Sequence, residues 1–299
     1  MSSGVAAIST GRDVAQVRRA FVDGLIGVLI FAGSLPATRL AVIDLDPFFL
    51  TLARAAIAGL AALLLLMAYR QPRPERRDLG ALALVALGVV FGWPLCTALA
   101  LTTVTAAHAT VTVACLPLAT ALFAVWRGGE RPRPAFWLFS GLGSALVVGF
   151  ALRNGGGGLS AGDAWLVLGV VLCGLGYAEG ARLARRLGGW QVVAWALVLS
   201  LPGTLPAAWL LRPASWAHVG GPALAGLAYV SLFSMLIGFV FWYRGLARGG
   251  IAAVGQVQLL QPFGSLVLAA LVLGEPVDAG LILTCAAVVG AVAAAKRTA

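Results

Sequence analysis

LPLATALFAVWRGGERP at residues 116–132 and QPFGSLVLAALVLGEPV at residues 261–277 decide the fold. Pro117 corresponds to Pro262, Gly129 to Gly274 and Glu130 to Glu275, each pair 145 positions apart with no gap. In both stretches the proline lies within a long apolar run, the Gly-Glu pair closes that run, and another apolar run follows. Two matched apolar hairpins in one chain imply a duplicated helix bundle, the build of many secondary transporters.

Working outward, hydrophobic residues make up 61% of the chain, charged residues 11%, and the mean hydropathy is +0.96. A soluble domain is about half apolar and a quarter charged, so lipid must be the solvent here. Apolar runs near the roughly twenty residues that cross a bilayer are predicted at 20–39, 48–69, 79–99, 103–126 and 135–152. A second set is predicted at 162–183, 190–211, 220–242, 251–273 and 278–295. The expected fold is an all-α membrane protein of ten transmembrane helices, arranged as five-helix units over 20–152 and 162–295. A Gly-rich linker (153–161) joins them, with a leading segment (1–19) and a short tail (296–299).

The net charge of +10 raises the question of nucleic acid, and the placement of the charge answers it. With the N-terminus in the cytoplasm, 17 basic residues fall in inner segments and only Arg39, Arg153 and Arg212 in outer ones. That is the positive-inside pattern at every connection, with both termini cytoplasmic and no nucleic-acid partner. Five helices per unit reverse the direction of entry, so the repeats are predicted to be inverted around a midplane site. The first apolar run is too long for a signal-peptide core and carries Asp23 near its start, so it is expected to stay as the first span. Cys96, Cys115, Cys173 and Cys285 are scattered singly, without metal or redox spacing. No metal or cofactor is expected.

Glycines inside the spans are expected to let helices approach closely, among them Gly169, Gly174, Gly176 and Gly180, and Gly141, Gly143 and Gly149. Prolines within spans interrupt helical bonding. Pro36, Pro117 and Pro262 are the candidate hinges, the last two in equivalent places.

Polar groups at membrane depth mark pathways or buried pairs. Glu179 fits a substrate-ammonium or proton-coupling role, or an ion pair with Arg182 three residues on. His108 fits a substrate contact or an interhelical hydrogen bond. Arg54, the one arginine deep in a span, fits a substrate carboxylate or a pair with Asp44, Asp46 or Glu275. Of Gln256, Gln258 and Gln261, at most two can share a helix face, and Gln256 is the first candidate. Most tryptophans fall at span ends, as an aromatic belt requires. Trp93 does not; with Tyr177 and Trp242 it fits an aromatic-walled cavity. Ser34 flanks the bend at Pro36.

The Pro117 to Gly-Glu130-Arg-Pro132 unit, repeated from Gln261-Pro262 to Gly-Glu275-Pro276, resembles the EamA-type carriers of the drug/metabolite transporter superfamily. Arg54 also resembles an arginine those carriers often have early in the second helix, whereas Val277 departs from the proline of the first copy. The resemblance implies a multi-pass protein of the bacterial inner (plasma) membrane exporting small metabolites, often amino acids, by alternating access. Among such carriers it is similar to the aromatic-amino-acid exporters of the YddG type. A small-molecule substrate and the bilayer are then the expected partners, and a monomer suffices. A multidrug or cationic-compound exporter is the rival within the superfamily. An intramembrane enzyme would need catalytic or metal groups that His108 and His218 do not form with the scattered cysteines, so none is expected.

Overall fold

A computed structural model describes residues 3–128, 134–154, 160–249, 254 and 256–297 of the 299-residue chain. The described residues are helical, without strands. Gly129-Glu130 and most of the Gly-rich linker lie outside them, as do the side chains of Pro117 and Gln256. Among the described residues, six runs are long and apolar enough to cross a membrane: Val17–Asp44, Pro47–Ala68, Arg76–Ala100, Ala161–Leu187, Gly189–Leu210 and Gly221–Gly245. Ala106–Thr120, Val257–Leu273 and Ala279–Ala291 are shorter apolar helical runs.

Helix α1 (Ser3–Ala32) begins well ahead of the predicted first span. It breaks at Gly33 and α2 (Ser34–Asp44) resumes. Asp46 then accepts the amides of Phe48 and Phe49 to cap α3 (Pro47–Ala68), with Pro47 supplying a preset first turn. Helix α4 (Leu79–Val85) widens into a π-helical stretch, Ala86–Gly92, before α5 (Trp93–Ala100). Helices α6 (Ala106–Val113), α7 (Leu116–Gly128) and α8 (Pro134–Asn154) follow.

A reciprocal Ser160–Asp163 capping box opens α9 (Ala161–Leu187), and α10 (Gly189–Leu210) returns across the bundle. Helix α11 (Gly221–Ala228) enters a second π-helical stretch, Tyr229–Ile237, and leaves it as α12 (Gly238–Gly249). A short 3₁₀ turn, Gln256–Leu260, precedes α13 (Gln261–Leu273). Gly274, at φ 65°, ends α13 in the left-handed region that glycine adopts without strain. Helix α14 (Ala279–Arg297) closes the chain.

The sequence predicts interruptions at prolines within spans; the structure interrupts the helix just ahead of four of them, whereas Pro202 and Pro206 lie inside the continuous α10. Pro36, Pro94, Pro117 and Pro262 each occupy the first turn of a helix that restarts after a break, a π stretch or a 3₁₀ turn. An amide has no intrahelical partner in a first turn, so a proline there leaves no bond unmade within its own helix.

Small residues set the crossings. A Cβ on Gly88 would lie 2.9 Å from Gly176 Cα, and one on Gly176 would lie 2.8 Å from Val89 Cγ2, so α9 touches the first π stretch backbone to backbone. A Cβ on Gly245 would lie 2.8 Å from the Gly24 amide nitrogen, where α12 crosses α1. Of the glycines singled out in sequence, Gly169, Gly174, Gly176 and Gly180 all sit in such contacts. Gly141 and Gly149 do not: a Cβ there would meet nothing within 4 Å, so α8 faces open space at those positions.

Candidate functional site

The two π-helical stretches flank a small internal cavity. Phe31, Ser34, Arg54, Val89, Trp93, Leu116, Tyr177, Ser234, Met235, Phe239 and Gln261 line it. Its volume is about 20 Å³, room for roughly one water. The chain is therefore closed around this point.

Polar and apolar walls are separate. On the polar side, the Ser34 and Ser234 hydroxyls meet at 2.5 Å, and Arg54 donates to Ser234 Oγ at 3.4 Å. Gln261 adds a buried carboxamide. On the other side, Tyr177 meets Phe239 edge-on at 6.0 Å, and Phe239 lies 4.9 Å from Phe31. Val89, Trp93, Leu116 and Met235 complete the apolar surface. Two lining pairs stand 145 positions apart, Val89 with Ser234 and Leu116 with Gln261. The first half contributes the apolar member each time and the second half the polar one.

Three residues singled out in sequence, Ser34, Trp93 and Tyr177, line this cavity. Trp242 is buried one layer behind it, 6.5 Å from Tyr177 and 6.3 Å from Phe31. Glu179 is not among the lining residues; it faces Arg182, which donates to its Oε2 at 2.7 Å. His108 lies elsewhere too, with its Nε2 2.7 Å from Asp163 Oδ1 and its ring against Phe150 at 5.0 Å. With Thr105, Asp278 and Thr284 it lines a separate pocket of about 250 Å³ at the bundle end near residues 105 and 276. Of the three glutamines, Gln261 reaches the central cavity; Gln258 is buried with its amide nitrogen unpartnered.

Arg54 lines the cavity and does not pair with any of the acids considered for it from the sequence. Its three candidate acids are engaged elsewhere: Asp46 caps α3, Asp44 accepts the Gly220 amide at 2.8 Å, and Glu275 accepts the Ala106 and Ala107 amides at 3.0 and 2.7 Å. Arg54 is 3% exposed and its Nε has no hydrogen-bond acceptor. Its depth in an apolar span was the available signal, but only the fold reveals that those acids are already used.

Both ends of the bundle are latched. At one end lie the Glu275 and Asp44 contacts and a hydrogen bond from Arg39 to the Leu101 carbonyl. At the other, Arg244 grips Asp23 at 2.9 and 2.5 Å, Arg248 joins at 3.3 Å, Arg186 pairs with Asp78, and Gln191 donates to Gln71 at 2.9 Å. Such an arrangement places the small cavity between two sets of polar contacts, one toward each end of the bundle.

The comparisons with known proteins agree on transport. The EamA-like transporter family matches residues 20–151 and 160–295. The chain is 64% identical over 277 residues to the uncharacterized transporter YdeK of Bacillus subtilis (strain 168), covering 93% of this chain and 96% of that one. It is 27% identical over 287 residues to a probable terminal-alkyne amino-acid exporter of Streptantibioticus cattleyicolor, covering 92% of each. A crystal structure of a protein 24% identical superimposes with a TM-score of 0.63, over 92% of this chain and 96% of its own, which shows a shared fold. This chain, a multi-pass membrane transporter, belongs to the EamA-like transporter family.

Proposed function

We propose that the chain exports small neutral or aromatic amino acids from a bacterial cell by alternating access. The carrying observation is the closed central cavity, whose repeat-related lining pairs, Val89/Ser234 and Leu116/Gln261, come from both halves. A solute held between two such walls can be exposed to either side by rocking one half on the other. Ten spans in two inverted five-helix repeats, with both termini cytoplasmic, follow from the 145-residue offset and the 17-to-3 split of basic residues. Helical pairing supports that symmetry, since α1 packs on α12 as α9 packs on α4 to α5. The inner membrane is the expected location.

Within this scheme Ser34, Trp93 and Tyr177 bind the solute directly and Trp242 backs the aromatic wall. Pro36, Pro117 and Pro262, each at a helix restart, mark the bending points. Gln256, at the head of the 3₁₀ turn, is placed to follow that motion. Glu179 and His108 have partners outside the cavity and are assigned to holding α9. The amino-acid class draws on the aromatic wall and on the similarity to the probable amino-acid exporter of Streptantibioticus. A cationic-drug exporter would need an acid in the cavity, and its lining residues include none.

The test is counterflow into liposomes carrying the purified protein, with labelled Trp, Phe, Leu, Thr and Lys. Uptake of the neutral members, competed by unlabelled solute, is expected. Uptake of cationic drugs with none of the amino acids would replace the assignment.

A further inference from the structure

Among the described residues the central cavity has one charged lining residue, Arg54, and no acid to balance it. A guanidinium at bilayer depth without a counter-ion is unfavourable, and intramembrane charges of this kind face a pathway. Its one side-chain hydrogen bond, to Ser234 at 3.4 Å, is long for a charged donor. Nε is buried and unpartnered. The acids nearest in sequence logic, Asp44, Asp46 and Glu275, are committed to backbone amides. Around Arg54, Ser34, Ser234 and Gln261 supply neutral hydrogen-bonding groups. Trp93, Tyr177 and their apolar neighbours supply the rest of the lining.

Resting on the carrier assignment above, we propose that Arg54 receives the carboxylate of the transported solute. The cargo is therefore a small carboxylate with an apolar or aromatic body, and an α-ammonium group is dispensable for binding. The planar guanidinium can offer two parallel N–H donors to a carboxylate, which an amide or amine cannot match. The serine hydroxyls and Gln261 can bond whatever substituent stands at the α-carbon, whether ammonium, hydroxyl or oxo. Among the described residues no carboxylate lines the cavity to reward an ammonium specifically.

Binding of phenylalanine, 3-phenylpropionate, phenylalaninamide and phenethylamine to the purified full chain in nanodiscs, by calorimetry, separates the possibilities. The two carboxylates are expected to bind and the amide and amine to fail. Arg54→Gln is expected to weaken the carboxylates by roughly 30-fold or more, the scale of losing one partner of a buried charge pair. Arg54→Lys should recover only part of that loss. The unliganded Arg54→Gln protein should unfold no earlier than the parent, because the bond lost, to Ser234 at 3.4 Å, is long and a buried charge is removed with it; an earlier midpoint would assign Arg54 to structure and overturn the site. Equal binding of amide or amine, carboxylate affinity unchanged by Arg54→Gln, or no carboxylate binding at millimolar concentration would each overturn it as well. Carboxylate binding without flux of any solute into liposomes would keep the site and overturn the carrier assignment instead.

Discussion

Pro36 has no amide to offer the Ala32 carbonyl, which a continuous helix would have bonded from that position. Ser265 of α13 donates to that carbonyl at 2.9 Å and is 1% exposed. Two residues before Ala32, the Tyr229 hydroxyl donates to the Ile30 carbonyl at 2.8 Å. These two side chains let the first span be interrupted beside the cavity, since polar backbone at membrane depth must be satisfied by protein. Ser265→Ala should lower stability by about 1–3 kcal/mol, the cost of orphaning a buried acceptor, seen as an earlier thermal midpoint in detergent. An unchanged midpoint would mean that the carbonyl finds another donor. Pro36 was legible in the sequence as a helix breaker. Ser265 was not, because a serine 233 positions beyond Ala32 is tied to it only by the fold. The same limit governed Arg54 and Gln261: their polarity was visible, but the partners that were free or occupied were not.

At the scale of elements, the two π-helical stretches are related by the repeat. Moving the first π stretch, Ala86–Gly92, forward by 145 positions lands inside the second, Tyr229–Ile237. Val89 and Ser234, both cavity-lining, are equivalent positions within them. A π turn is wider than an α turn and recurs at functional sites, and here both stretches border the closed chamber. The first is pinned to α9 by Gly88 against Gly176. Gly88→Ala would press a methyl on the Leu172 carbonyl and on Gly176, backbone atoms that cannot swing aside. It should cost about 1–3 kcal/mol, and combining it with Gly176→Ala should cost less than the sum, since both force apart the same contact. Additive losses measured by thermal unfolding would argue against a shared crossing. Hydropathy gave the spans, and the glycine pattern correctly marked α9 as a crossing helix. It misled for Gly141 and Gly149 of α8, though Gly143 faces Ala291 of α14, because small residues permit close approach without requiring it. Neither π stretch had a signal in the sequence, since π and α turns tolerate the same apolar residues.

At the scale of the whole molecule, the 145-residue offset was readable because duplication leaves residues in register whatever their role. Which closure holds which end was not, because those contacts join residues far apart in the chain. Asp23 of α1 is held by Arg244 and Arg248 of α12, and these three line an open pocket with Arg18 and Arg19. The clasp links the helix carrying Phe31 to the one carrying Phe239, two residues of the cavity wall in ring contact. Releasing it should favour opening toward the Arg248 end while the Glu275 and Asp44 contacts keep the opposite end shut. The reporter is Val89→Cys in a chain whose Cys96, Cys115, Cys173 and Cys285 are replaced, probed with a membrane-impermeant thiol reagent from each side. Asp23→Asn should speed labelling from the Arg248 side by roughly threefold to tenfold, for a partly exposed clasp contributing about 1 kcal/mol. Labelling from the other side should not rise, because opening at both ends would abolish alternating access. Unchanged rates from both sides would show that the Asp23 clasp does not hold the bundle closed, and faster labelling from both would show a general loosening of the fold.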